Sequence, residues 1–188
     1  MKQQNIMETK LARIAEISKE RPQEVFTSIY HFLNKDLLIL CHKELDGKKA
    51  TGLDGVTKSE YEENLENNIE QLVKKLQSMK YKPAPAKRVY IPKANGKVRG
   101  LAIATYEDKL VQMAVKKIIE AIYESKFLDT MYGFRPNQSC HDALKELSWT
   151  IERKKVNFVV DADIKGFFDN VAHEWLIKCI EQHIKDPR

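Results

Sequence analysis

Two groups of residues in this chain have the types and spacing to do chemistry. Asp161 and Asp163 follow the short apolar run VNFVV (residues 156–160) and precede Lys165-Gly166-Phe167-Phe168-Asp169. Carboxylates delivered at the end of a strand can hold a divalent cation, because hard metals such as Mg²⁺ take oxygen ligands. Aspartates after strands also cap helices, and Asp169, before Asn170-Val171, is expected to do that. The second group is cationic. Lys93 and Arg99 flank Asn95-Gly96, the strongest short-range signal for a tight hairpin turn. Both can project toward one phosphate group, Arg as a planar fork and Lys as a point charge.

The elements that must position these groups follow from periodicity and punctuation. Ile6, Leu11, Ile14 and Ile17 predict an amphipathic helix over the first 20 residues or so. After Pro22, the set Val25, Ile29, Phe32, Leu33, Leu37 and Leu40 predicts a second helix over 23–42. GKKATGLDG (47–55) reads as a loop, and Thr57 or Ser59 can cap a polar helix running to about residue 80. Pro83 and Pro85 impose an extended crossing into two β-like runs, KRVYIP (87–92) and VRGLAI (98–103). A long helix with Leu110, Ala114, Ile118 and Ile122 on its apolar face comes next. Residues 130–137 are rich in turn formers, and Ser139 with Asp142 resembles a capping box. The helix it opens, to about 154, carries Cys140, Leu144, Leu147 and Ile151 on one face. Residues 156–160 read as a buried strand, and a final helix is expected over 170–184.

Composition bounds the class. At 188 residues, 43% hydrophobic and 31% charged, the chain can bury a core as an ordinary soluble protein does. Cys41, Cys140 and Cys179 are odd in number and lack CxxC spacing, which argues against a disulfide framework or a zinc site and favours a reducing compartment. No apolar run reaches the ~18 residues of a membrane span, and the first residues lack the apolar core of a signal peptide; a cytoplasmic location without membrane contact is expected. The net charge of +5 is unevenly spread: residues 1–73 carry 10 basic and 13 acidic side chains, 74–117 carry 12 and 2, and 118–188 carry 10 and 12. Such a basic block is either a solvated face or a track for phosphates.

Five segments, in order, resemble the sequence blocks of group II intron reverse transcriptases. They are ATGLDGVT (50–57), RVYIPKANGKVRGLAIAT (88–105), YEDKLVQ (106–112), GFRPNQSCHDAL (133–144) and DIKGFFDNV (163–171), with His173 close behind. The resemblance implies an α+β, right-hand polymerase fold, with fingers and a partial palm in which helices pack on a β-hairpin and a small antiparallel sheet. Its divisions would be a helical extension and early template-contacting loop at 1–58, fingers with a basic hairpin (about 87–104) at 59–155, and the start of the palm at 156–188.

The same resemblance assigns roles. Asp163 becomes the first metal-binding aspartate, bridging two Mg²⁺ ions, with the Ile164 carbonyl as a further ligand; Asp161 does not fit the pattern. Phe168 takes the position that excludes a 2′ hydroxyl from the incoming sugar, while Phe167 and Phe158 are expected in the core. Lys93 and Arg99 would bind the nucleotide triphosphate, and Lys87, Arg88 and Lys97 the phosphates of template or primer. Arg135 and Asn137 would meet template-primer or hold the palm loop, and both roles stay open. Gly52 and Gly55 are expected to let the template backbone approach, and Asp54 to order its own loop. The five histidines are assigned to helix surfaces or packing.

Two local departures, Gly100 and Ala104-Thr105, fall where the family commonly has proline. A larger one is that the aromatic-x-Asp-Asp block of the palm does not occur. The implied parent is an RNA-directed DNA polymerase acting on an RNA template, a DNA primer and dNTP, in company with group II intron RNA. This chain is expected to stop before the active site is complete and to be inactive alone. Two other readings share the motifs: a non-catalytic maturase module that binds intron RNA, and a bacterial retroelement or phage-defence reverse transcriptase.

Overall fold

The computed structural model describes residues 2–92, 94 and 96–188, with side-chain surroundings from residue 6 onward. Lys93 and Asn95 therefore lie outside the described residues. The fold is α+β. Seven α-helices and one two-stranded antiparallel sheet are present among the described residues: α1 (Lys2–Glu20), α2 (Lys35–Glu44), α3 (Lys58–Glu62), α4 (Leu65–Gln77), β1 (Lys87–Pro92), β2 (Val98–Ile103), α5 (Tyr106–Tyr123), α6 (Cys140–Arg153) and α7 (His173–Ile180). None of the helices is long and apolar enough to cross a membrane among the described residues.

The core lies where α1, α2 and α4 meet α5. Leu37, Leu38 and Cys41 of α2, Ile69 and Leu72 of α4, and Leu110 and Ala114 of α5 are fully buried. α1 forms as its periodicity predicts, but its buried face is turned: Met7, Ile14 and Ser18 face inward while Ile6 is exposed. The Ser18 hydroxyl donates to the Ile122 carbonyl at 2.5 Å. That bond satisfies a polar group that would otherwise be costly to bury.

The second expected helix, 23–42, is broken. Asn34 caps α2 in extended backbone and its side chain accepts from the Leu37 N–H, so the helix starts there. Upstream, the donors a helix would use go elsewhere. The Ile29 and Tyr30 N–H groups donate to the Asp186 carboxylate at 2.7 and 2.8 Å, and Phe26 forms a parallel bridge with Ile184. The polar helix after Thr57 is also two helices. Thr57 and Glu60 form the full capping box of α3, and the Asn68 side chain donates to the Tyr61 carbonyl at the break.

The C-terminal third departs furthest from expectation. Residues 156–160 were expected as a buried strand, yet they are irregular and exposed, with Phe158 at 88%. A strand needs a neighbour's backbone to satisfy its own, and among the described residues the one sheet is the β1–β2 pair, which 156–160 does not join. α6 forms, capped by Ser139 as its sequence indicates, but Leu144, Leu147 and Ile151 stay exposed. Phe167 and Phe158, expected in the core, are exposed too. Asp169 caps no helix: α7 begins at His173 with Ala172 as N-cap. Instead the Asp169 N–H and the Asn170 side chain both donate to the Gly166 carbonyl, closing a turn in which Gly166 takes φ +63°.

Candidate nucleic-acid interface

The basic hairpin stands on a pinned root. Between Tyr81 and β1, Pro83 and Pro85 have no N–H, so Ala84 carries the one backbone donor from 83 to 85. It donates to Asp108 Oδ2 at 3.1 Å. The same oxygen accepts from the Thr105 hydroxyl at 2.7 Å, and Oδ1 accepts from the Tyr81 hydroxyl. Asp108 sits in the first turn of α5, capped by Thr105, and is only 3% exposed. One carboxylate therefore ties the chain entering the hairpin, the chain leaving it and the helix that follows. The Tyr81 hydroxyl is pushed above its ordinary range, first by burial and then by its bond to Asp108, so it remains a donor.

The early loop braces this root. A Cβ on Gly52 would lie 2.6 Å from the Thr105 Cα and 2.7 Å from the Ala104 carbonyl, so backbone packs directly on backbone there. Lys109 of α5 donates to the Ala50 carbonyl at 2.6 Å, and Asp54 accepts from the Val56 N–H within its own loop. Gly52 thus uses its close approach on this chain's own backbone. Gly55, at φ +72° with open space around it, is free at the surface. Beneath the loop the Tyr106 hydroxyl and His42 Nδ1 share a buried 2.9 Å hydrogen bond. Burial, then nearby Lys58, holds His42 below the ordinary imidazole range.

The register fixes what each hairpin face presents. Lys87 pairs with Ile103, Val89 with Leu101 and Ile91 with Arg99, while Arg88 pairs with Ala102, Tyr90 with Gly100 and Pro92 with Val98. Because directly paired residues share a face and successive residues alternate, Lys87 and Arg99 lie on one face and Arg88 on the other. Lys87, Arg88, Lys97 and Arg99 are all exposed. No Asp or Glu occurs from residue 80 to 105, and among the described residues neither Lys87, Arg88 nor Arg99 makes an ion pair. Lys93, expected opposite Arg99 across the turn, lies outside the described residues.

Arg135 has a structural placement. Its guanidinium donates to Glu124 Oε1 at 2.9 Å and to the carbonyls of Leu128 and Met131 at 2.9 and 2.8 Å, with its side chain 11% exposed. These bonds tie the segment 128–135 to Glu124. Asn137 is exposed in the left-handed region at φ +60°, a conformation Asn tolerates better than most residues.

Asp161, Asp163, Ile164 and Phe168 lie together on an exposed, irregular segment, with Phe168 81% exposed and its ring edge-on to Phe167. No group of three or more His, Cys, Asp or Glu side chains able to hold a metal is assembled among the described residues. The described residues thus do not by themselves fit a Mg²⁺ pair: Asp163 is one carboxylate in water. Sequence reasoning missed Asp108 and Asp186. Thr105-Tyr106-Glu107-Asp108 has the same spacing as Ser139 to Asp142, so Asp108 carried a readable signal. Asp186 carried none.

Comparison with known proteins bears on this arrangement. Residues 91–188 match the family model described as "Reverse transcriptase (RNA-dependent DNA polymerase)". The chain is similar to the "Group II intron-encoded protein LtrA" of Lactococcus lactis subsp. cremoris, 40% identical over 95% of this chain and 30% of that protein. It is similar to "Protein YkfC" of Escherichia coli (strain K12), 37% identical over 76% of this chain and 38% of that one. A more distant likeness, 26% over 44% of this chain, is to "Nuclear intron maturase 2, mitochondrial" of Arabidopsis thaliana. The chain thus spans about a third of the length of the first two relatives.

Proposed function

Because the chain belongs to the reverse transcriptase family, we propose that it is the fingers and first palm segment of a group II intron-type RNA-directed DNA polymerase, and that the hairpin is its grip on nucleic acid and nucleotide. The observation that carries this reading is the acid-free hairpin: Lys87 and Arg99 on one face and Arg88 on the other, none in an ion pair among the described residues, above a root fixed by Asp108. Cations without carboxylate partners are free to neutralise phosphates and release counterions. In this reading Arg99, with Lys93, binds the triphosphate of a dNTP. Lys87, Arg88 and Lys97 follow the phosphates of RNA template and DNA primer, and Asn137 and Gly55 lie along the same path. Arg135 and Gly52 act by holding the loops beside it.

In the whole protein Asp163, with the Ile164 carbonyl, supplies part of a Mg²⁺ site that further carboxylates complete, and Phe168 faces the sugar. A second reading rests on the likeness to the intron maturase: the chain binds intron RNA as a maturase module without catalysis. The two are separated by primer extension with the full-length parent and its Asp163→Asn variant. The polymerase reading expects loss of extension, and equal extension by both would remove it. Affinity of this chain for RNA should fall steeply with salt, and each hairpin cation removed should lower the salt slope by about 0.7–0.9. Absence of RNA binding at low salt would defeat both readings.

A further inference from the structure

The hairpin face that carries Arg88 has a second property, which phosphate binding does not use. Tyr90 lies between Arg88 and Pro92 on that face and pairs with Gly100, and Arg88 pairs with Ala102. β2 thus offers almost no side chain beneath either residue. A Cβ on Gly100 would come within 3.2 Å of Arg88 Nε and 3.6 Å of a Tyr90 ring carbon, so both side chains lie down over bare β2 backbone. The guanidinium stands 5.8 Å from the centre of the Tyr90 ring. Tyr90 is 60% exposed, and its hydroxyl has no hydrogen-bond partner among the described residues.

We propose that Tyr90 and Arg88 form a stacking site for one unpaired nucleobase of single-stranded RNA or DNA and its adjoining phosphate, on the face opposite Arg99. This rests on the reading that the chain binds nucleic acid and adds a base contact to it. A flat, open aromatic face takes any base, since every base has a π-face. The Arg88 guanidinium, over the ring at 5.8 Å from its centre, supplies both the cation for the phosphate and a planar partner for the base. The stretch of chain around it contains no carboxylate to repel the strand. An acidic peptide would engage Arg88 but would have no use for the bare ring. Gly100, where proline would give β2 a side chain, is what lets the platform form.

The test compares a short unstructured oligonucleotide with an abasic one of equal length, as RNA and as DNA, by fluorescence anisotropy at low salt on the whole chain. Tyr90→Ala should weaken binding of the base-bearing strands about ten-fold and leave the abasic strands unchanged, whereas Tyr90→Phe should bind as the parent does. Arg88→Gln should weaken both kinds of strand and lower the salt slope. Gly100→Val, which fills the space under both side chains, should weaken base-bearing strands more than abasic ones. Stronger loss on RNA than on DNA, or the reverse, identifies which strand uses the site. If Tyr90→Ala affects base-bearing and abasic strands equally, Tyr90 only covers Gly100 and stabilises the hairpin, and the stacking proposal is wrong while nucleic-acid binding stands. If the parent chain binds no strand at all, both fail together.

Discussion

Asp108→Ala is the most informative single perturbation of the hairpin's root. The carboxylate accepts from the Thr105 hydroxyl, the Ala84 N–H and the Tyr81 hydroxyl while almost fully buried. Truncation removes three hydrogen bonds to a charged acceptor and leaves the Ala84 N–H with no acceptor between two prolines. Bonds of this kind contribute about 1.5–3 kcal/mol each, and an orphaned buried donor costs about 1–3 kcal/mol. The carboxylate's own desolvation is recovered on truncation, so the net loss is about 4 kcal/mol rather than the sum. For a chain of this size that corresponds to a fall of about 10 °C in Tm. Asp108→Asn should cost much less, about 1–2 kcal/mol. The amide oxygen can keep Thr105 and Ala84, and Tyr81, whose hydroxyl can also accept, can turn to the amide NH₂. Thermal unfolding gives the totals, and hydrogen exchange at the Ala84 amide gives the location. An Asp108→Ala protein within about 1 kcal/mol of the parent, with the Ala84 amide equally protected, would refute the pinned root.

Two further outcomes are expected. Gly52→Ala puts a methyl group 2.6 Å from the Thr105 Cα; backbone on both sides must separate, and a loss of about 2–3 kcal/mol is expected in denaturant titration, with Gly55→Ala, which meets nothing but strains φ, costing less. Asp186 is held below the ordinary carboxylate range: burial raises it, but the Tyr30 and Ile29 N–H groups, with Arg188, more than offset that. Its contribution is therefore present above the unfolded carboxylate pKa and is lost as pH falls through the lower folded value. Asp186→Asn should flatten the acid limb of a stability-against-pH curve, and an unchanged limb would show that Asp186 is not its source.

What was legible in the sequence was what neighbours along the chain decide. The strands of the hairpin fall at 87–92 and 98–103 as their β-branched runs and Asn-Gly turn require, and Thr57 and Ser139 cap the helices that follow them. What failed was decided at a distance. Residues 26–30 give their backbone groups to Ile184, His183, Lys185 and Asp186, and no local pattern announces a partner more than 150 residues away. The run 156–160 has strand composition, but composition cannot supply a neighbouring strand. The site divides in the same way. Five hairpin cations, Lys87, Arg88, Lys93, Lys97 and Arg99, stand out by charge and turn, whereas the carboxylate that fixes the hairpin's base was hidden in a helix cap, and the bonds of Arg135 to Glu124 and two carbonyls had no local sign.

The clasp between 26–30 and 183–186 also sets an order of events. The buried contacts among α1, α2, α4 and α5 need nothing beyond Ile122, so that core can close while the rest of the chain is still emerging from the ribosome. The clasp has to wait for Asp186, some 157 residues after Ile29. At roughly 5–20 residues per second, that is an interval of about 3–13 s after Ile122. Through that interval the backbone donors of Ile29 and Tyr30 face water or a chaperone. In order of synthesis, every residue of the hairpin's root is therefore available before the clasp between 26–30 and 183–186 can form.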